Sequence, residues 1–214
     1  MPTFDTALTF FAASVLLALV PGPDNVFVLL HSAVQGRRAG LLVVLGLCTG
    51  LLAHTAAVAL GLAAVFAASA SAFTVLKLLG AAYLVWLAWL SWRAPVGALD
   101  EGDSAKGAAQ LRLSAAQTYG RGVLMNITNP KVAIFFLAFL PQFANPAQGP
   151  VAGQILVLGG IFILATLLTF GAIAFFAASV GRVFQRSLRA QRWLNRIASV
   201  VFVGLAVKLA TAQR

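Results

Sequence analysis

The chain is a succession of apolar runs longer than an ordinary core element. Stretches at about 4–30, 39–68, 72–92, 118–140, 151–180 and 197–210 carry almost no charge. A helix crossing the hydrocarbon of a bilayer needs roughly 20 apolar residues, and in that solvent the segment must satisfy its own backbone. Six membrane-spanning helices are therefore predicted. The second and fifth runs are long enough to tilt or to extend past the bilayer. The sixth is short unless it begins near Trp193, with Arg192 and Arg196 snorkelling to the interface. Only 9% of the 214 residues are charged, against roughly 25% in a soluble domain. Trp86, Trp89, Trp92 and Trp193 lie at or near span ends, where an interfacial aromatic belt is expected.

The formal charge of +10 does not imply nucleic acid, because the basic residues lie between the apolar runs. Arg37 and Arg38 follow the first span. Arg93, Lys106 and Arg112 follow the third, and Arg182, Arg186, Arg189, Arg192 and Arg196 follow the fifth. The loops after the second and fourth spans are nearly free of base. This asymmetry predicts odd-numbered loops in the cytoplasm and both termini in the periplasm. The N-terminal stretch has no Lys or Arg, as a secretory leader would require, so the first run is expected to be retained as a span. The polar segment 93–117 reads as a cytoplasmic linker between a first unit, 1–92, and a second, 118–214. The lone Cys48 sits within an apolar run as small filler. No disulfide framework, metal cluster or cofactor is expected.

Two of the spans are interrupted. "LVPGPDNVFVLL" (19–30) puts Pro21, Gly22, Pro23, Asp24 and Asn25 inside the first, and "NITNPK" (126–131) puts Asn126, Asn129, Pro130 and Lys131 inside the fourth. Each break sets a proline directly before a charge. Downstream of them stand "QGRRAGLLVVLG" (35–46) and "QGPVAGQILVLG" (148–159), sharing Gln, Gly, Ala, Gly, Val, Leu and Gly at the same offsets. Each half has three spans, and an odd number makes the second copy enter the membrane from the opposite side. The fold expected is an all-α membrane protein of two inverted three-helix repeats with broken first and fourth helices. Such repeats are a mark of secondary transporters, and matched helix breaks point to the binding site.

Asp24 is the acid well inside a span, and Lys131 is its counterpart in the other half. Ionisable groups at such depth face the protein interior and take partners. Two readings follow. A buried Asp24–Lys131 ion pair could only lock the halves together. Alternatively, the two could bind the ammonium and carboxylate of a zwitterion, with Asp24 also carrying a proton, since burial disfavours its charged form. The helix start at Asn25 favours a carboxylate. The amides of Asn25, Asn126 and Asn129 could serve freed backbone groups or a ligand. His54 either hydrogen-bonds a neighbouring helix or joins a polar relay. His31 is less informative, and Lys77 is read as an interfacial lysine. Gly46-xxx-Gly50 permits close helix contact, more within the chain than between chains.

Nucleophile elbows, zincin histidines, phosphate loops and paired acids are missing from the sequence, so an enzyme is not expected. "VPGPDNVFVLLHSAVQGRRAGLLVVLGLCTG" (20–50) resembles the N-terminal signature of the LysE/RhtB family of amino-acid exporters. "FTVLKLLGAAYLVWLAW" (73–89) and "GVLMNITNPKVAIFFLAFLPQF" (122–143) look like that family's third and fourth segments. The resemblance implies a bacterial inner-membrane exporter of amino acids or their derivatives, driven by proton antiport. It looks closer to the homoserine/threonine/leucine branch than to the basic amino-acid branch. The implied partners are a small zwitterionic amino acid, protons and membrane lipid, with a homodimer left open. Other readings of the same spans are a passive channel, an intramembrane enzyme and a non-transporting subunit.

Overall fold

The computed structural model describes residues 1–20, 22–68, 70–93, 113–186 and 188–211. Every regular element among them is helical. Helix α1 spans Phe4–Leu19, α2 Pro23–Gln35, α3 Arg37–Ala68 and α4 Ala70–Arg93. Helix α5, Ala115–Ile127, opens on a capping box in which Ser114 and Gln117 satisfy each other's backbone N–H. A short α6, Pro130–Ile134, runs into a π-helical turn, Phe135–Phe139, and a 3-10 turn, Leu140–Phe143. Helices α7, Val151–Arg186, and α8, Leu188–Thr211, complete the chain.

By length and apolar character, two stretches can cross a membrane alone, Arg37–Gly61 of α3 and Val151–Ala177 of α7. The expected first and fourth spans are bent pairs. The axes of α1 and α2 turn by 65°, and α5 turns by 49° into Pro130–Phe143. Counted as single crossings, these pairs raise the number to four among the described residues. Helices α4 and α8 cover the sequence of the expected third and sixth spans, and neither is among those four. The apolar part of α8, Asn195–Val207, is short, as its sequence suggested. Leu41, Leu45 and Leu52 on α3, and Leu156, Leu164 and Leu168 on α7, point outward. In a water-soluble helix that face would be polar. Trp86, Trp89, Trp92 and Trp193 are also exposed.

Inside, the buried apolar side chains among the described residues form two clusters. The larger joins Phe10, Leu51, Leu84, Phe135, Phe136, Phe139, Phe162 and Phe202 from six parts of the chain. The smaller joins Ala18, Val28, Val43, Leu47, Cys48, Phe170 and Ala174. Helices α3 and α5 pack backbone to backbone. A Cβ on Gly46 would collide with the Tyr119 carbonyl, and one on Gly50 would lie 2.6 Å from Asn126 Oδ1. The Gly46-xxx-Gly50 pair thus serves packing within the chain, since only glycine lets these helices approach so closely. Among the described residues two glycines have positive φ, Gly36 at 88° and Gly149 at 120°. They hold the same place in the two Gln-Gly stretches, and each precedes a long apolar helix.

Candidate functional site

The first break follows from proline chemistry. In a continuous helix the carbonyls of Leu17 and Leu19 would accept from residues 21 and 23, but proline has no N–H. Helix α1 therefore ends with the bond from Val20 N to Leu16 O, and α2 restarts with Val26 N donating to Gly22 O. Pro23 takes the first helical position, where a missing N–H costs little. Pro21 lies outside the described residues. Two groups serve the freed carbonyls at the end of α1. Asn25 Nδ2 donates to Ala18 O at 2.8 Å. Lys131 Nζ, from the other half, donates to Leu17 O at 3.4 Å and Val20 O at 3.3 Å. A cation at a helix C-terminus also meets the negative end of the macrodipole. Gly22 makes room for it, since a Cβ there would lie 3.1 Å from Lys131 Nζ.

The second break repeats the logic. Pro130 cannot supply the N–H that Asn126 O would accept. Asn129 N takes that carbonyl at 3.1 Å, and His54 Nε2 on α3 donates to it at 3.2 Å. His54 thus hydrogen-bonds a neighbouring helix, with its ring 5.6 Å from that of Phe136. Asn129 caps the restarted helix by accepting from Lys131 N at 3.0 Å. Its amide donates to Asp24 Oδ2 at 2.7 Å.

The breaks are therefore interlocked. Asp24, in the first turn of α2, binds the asparagine of the second break, and Lys131 of the second break caps the helix of the first. The acid and the amine do not form the direct ion pair that was one of the two sequence readings. Asn129 instead joins Asp24 to the Lys131 backbone N–H, while the Lys131 amine is held by Leu17 O and Val20 O. Asp24, Asn126 and Asn129 are 3%, 3% and 4% exposed and Lys131 9%, so none of their charge or polarity is spent on bulk solvent.

Asp24, Asn126 and Lys131 also line one small cavity. The other walls are Leu17, Ala18, Leu47, Val132, Phe162, Thr166 and Phe170, so the cavity lies on the seam between the two apolar clusters. Its volume is about 10 Å³, roughly the room that one water needs. Asp24 Oδ1 and Asn126 Oδ1 are buried without hydrogen-bond partners, as are Asn25 Oδ1 and His31 Nε2. Buried polar atoms are normally paired, so two orphan acceptors on one cavity suit a ligand with several donors. No group of His, Cys, Asp and Glu able to hold a metal occurs among the described residues. Thr166, Phe162 and Phe170 of α7 were not singled out from the sequence. A threonine inside an apolar span was the available signal for the first.

The LysE type translocator family matches residues 15–213. The chain belongs to that family. It is a membrane transporter and not an enzyme. It is 36% identical over 213 residues to an uncharacterized membrane protein of Vibrio cholerae, covering 96% of this chain and 97% of the relative. It is 33% identical over 211 residues to a homoserine/homoserine lactone efflux protein of Salmonella typhimurium, covering 99% and 98%. It is 31% identical over 204 residues to the uncharacterized membrane protein YrhP of Bacillus subtilis, covering 94% and 96%. No solved structure matches the chain. The motifs that gave the family resemblance in the sequence, "PGPDN" and "NPK", are the two helix breaks of this translocator.

Proposed function

We propose that this translocator exports a small zwitterionic amino acid or derivative across the bacterial inner membrane, by proton antiport with alternating access. One observation carries this reading: a carboxylate and an ammonium from two separately broken helices border the same buried cavity. Asp24 Oδ1 and Asn126 Oδ1 are acceptors matched to a substrate ammonium, and Lys131 is matched to its carboxylate. The Salmonella relative's description as a homoserine/homoserine lactone efflux protein supports the substrate class.

An amino acid is too large for about 10 Å³, so this conformation is closed around the site, and substrate enters when the breaks hinge. Toward one end, Phe10 packs edge-on against Phe143 at 5.0 Å, and Phe135 links Phe10 to Phe162 at 5.9 and 5.2 Å. Beyond this aromatic wall lies a polar cleft of about 390 Å³ bordered by Asp5, Thr6, Thr9, Gln142, Phe143 and Asn145. A closed wall between two polar compartments favours alternating access over an open channel.

Six spans in two inverted repeats complete the reading. Its supports are the proline–charge breaks, the equivalent positive-φ glycines and the two long helices that follow them. The Lys and Arg distribution supports a reading with both termini in the periplasm. Asp24 exchanges a proton for the substrate ammonium. Lys131 holds either the α1 carbonyls or the substrate carboxylate.

The test is homoserine efflux from proteoliposomes under an imposed proton gradient. Asp24→Asn keeps an acceptor for Asn129 and so should insert and fold. The variant should lose gradient-driven efflux by at least about tenfold, the scale of a lost charge-assisted contact. Wild-type efflux by the variant, or efflux that ignores a protonophore, would remove the proton role.

A further inference from the structure

Helix α8 carries a second polar feature, remote from the two breaks. Arg189, Arg192, Trp193 and Arg196 border a cleft of about 120 Å³. Their spacing of three, four and seven residues sets them on one stripe of the helix. All four side chains are exposed. Arg196 lies over the Trp92 ring at 5.4 Å, and Arg93 lies over Trp89 at 4.8 Å, so the stripe abuts the end of α4. Four guanidinium groups and three tryptophans thus share one corner of the bundle.

The depth of that corner selects the ligand. The apolar part of α8, Asn195–Val207, measures about 20 Å at 1.5 Å per residue, while the hydrocarbon layer is roughly 30 Å thick. A helix this short draws its flanking charges down to the headgroup level or thins the bilayer around them. Exposed tryptophans mark the same level. Of the five acids in the sequence, Asp24 is engaged by Asn129 and Asp5 borders the separate polar cleft. Asp100, Glu101 and Asp103 lie outside the described residues. A guanidinium fork matches phosphate oxygens two at a time, which an ammonium cannot do.

We propose that the Arg189–Arg192–Arg196 cleft binds the phosphate of an anionic phospholipid, anchoring α8 against α4 in the bilayer. The site does not depend on the transport mechanism above. Its test is native mass spectrometry of the purified, delipidated full-length protein titrated with phosphatidylglycerol or phosphatidylcholine. Phosphatidylglycerol should bind about tenfold more tightly, given the contribution of each basic residue at an anionic surface. R189Q/R192Q/R196Q should abolish the preference, and R189K/R192K/R196K should weaken it several-fold. If the triple glutamine variant does not give the wild-type elution profile and helicity, R192Q alone decides, with at least a threefold loss expected.

Equal binding of the two lipids, or an unchanged preference in these variants, would overturn the proposal. Displacement of phosphatidylglycerol by millimolar inorganic phosphate would make this a free-anion site instead. If phosphatidylglycerol binds only after D100N/E101Q/D103N, the acidic stretch after α4 is the occupant and the lipid site is refuted.

Discussion

The two helix breaks solve one problem with opposite charges. The first bends by 65° and the second by 49°. Both free carbonyls by placing proline where a helix needs an N–H. Yet α2 starts without a side-chain cap, while α6 is capped by Asn129. The first break contributes an acid, the second a base, and each completes the other: Asn129 serves Asp24, and Lys131 serves Leu17 and Val20. The difference teaches that neither break is self-sufficient.

If the breaks depend on each other, removing Lys131 should do the most damage. Lys131→Met strands the carbonyls at the end of α1 and leaves Asp24 without a compensating charge. Each of the two carbonyls left unsatisfied costs about 1–3 kcal/mol. Thermal unfolding in detergent should show this loss, together with efflux at background. A variant as stable as wild type would mean that the first break does not need the second.

Asn129→Ala should come next. It removes a cap, about 1 kcal/mol, and leaves both oxygens of Asp24 unpartnered, about 1–3 kcal/mol. The same measurement on Asn25→Ala, which loses one bond to Ala18 O, should show only about 1 kcal/mol. Equal losses would erase the asymmetry between the breaks.

A matched pair of substitutions sharpens the comparison between the halves. Gly36→Ala and Gly149→Ala each force an L side chain into positive φ, at about 1–3 kcal/mol. The two losses should agree within a factor of about two if these glycines are structural equivalents. A large loss in one half alone would argue against the repeat.

Much of this was legible along the chain. The apolar runs predicted the helices, because hydrocarbon demands internally satisfied backbone. The prolines predicted the breaks, and Asp24 and Lys131 stood out because charge is rare at such depth. The π-helical turn after Ile134 left no such mark, since phenylalanines suit an α-helix as well. Asn129 was noted as a flank of its break, but its sequence context could not say that its amide would reach an aspartate 105 positions earlier.

By itself, then, the sequence determined which segments are helical and apolar, where two of them break, and which ionisable groups the breaks carry. These are consequences of hydropathy and of proline's missing N–H, and both act within a few residues. Only the tertiary structure decided who answers whom: Lys131 with the end of α1, His54 with Asn126, Thr166 and Phe162 at the cavity beside Asp24. Such pairings depend on how rigid helices cross and where glycines let them close up, and local spacing does not encode that geometry.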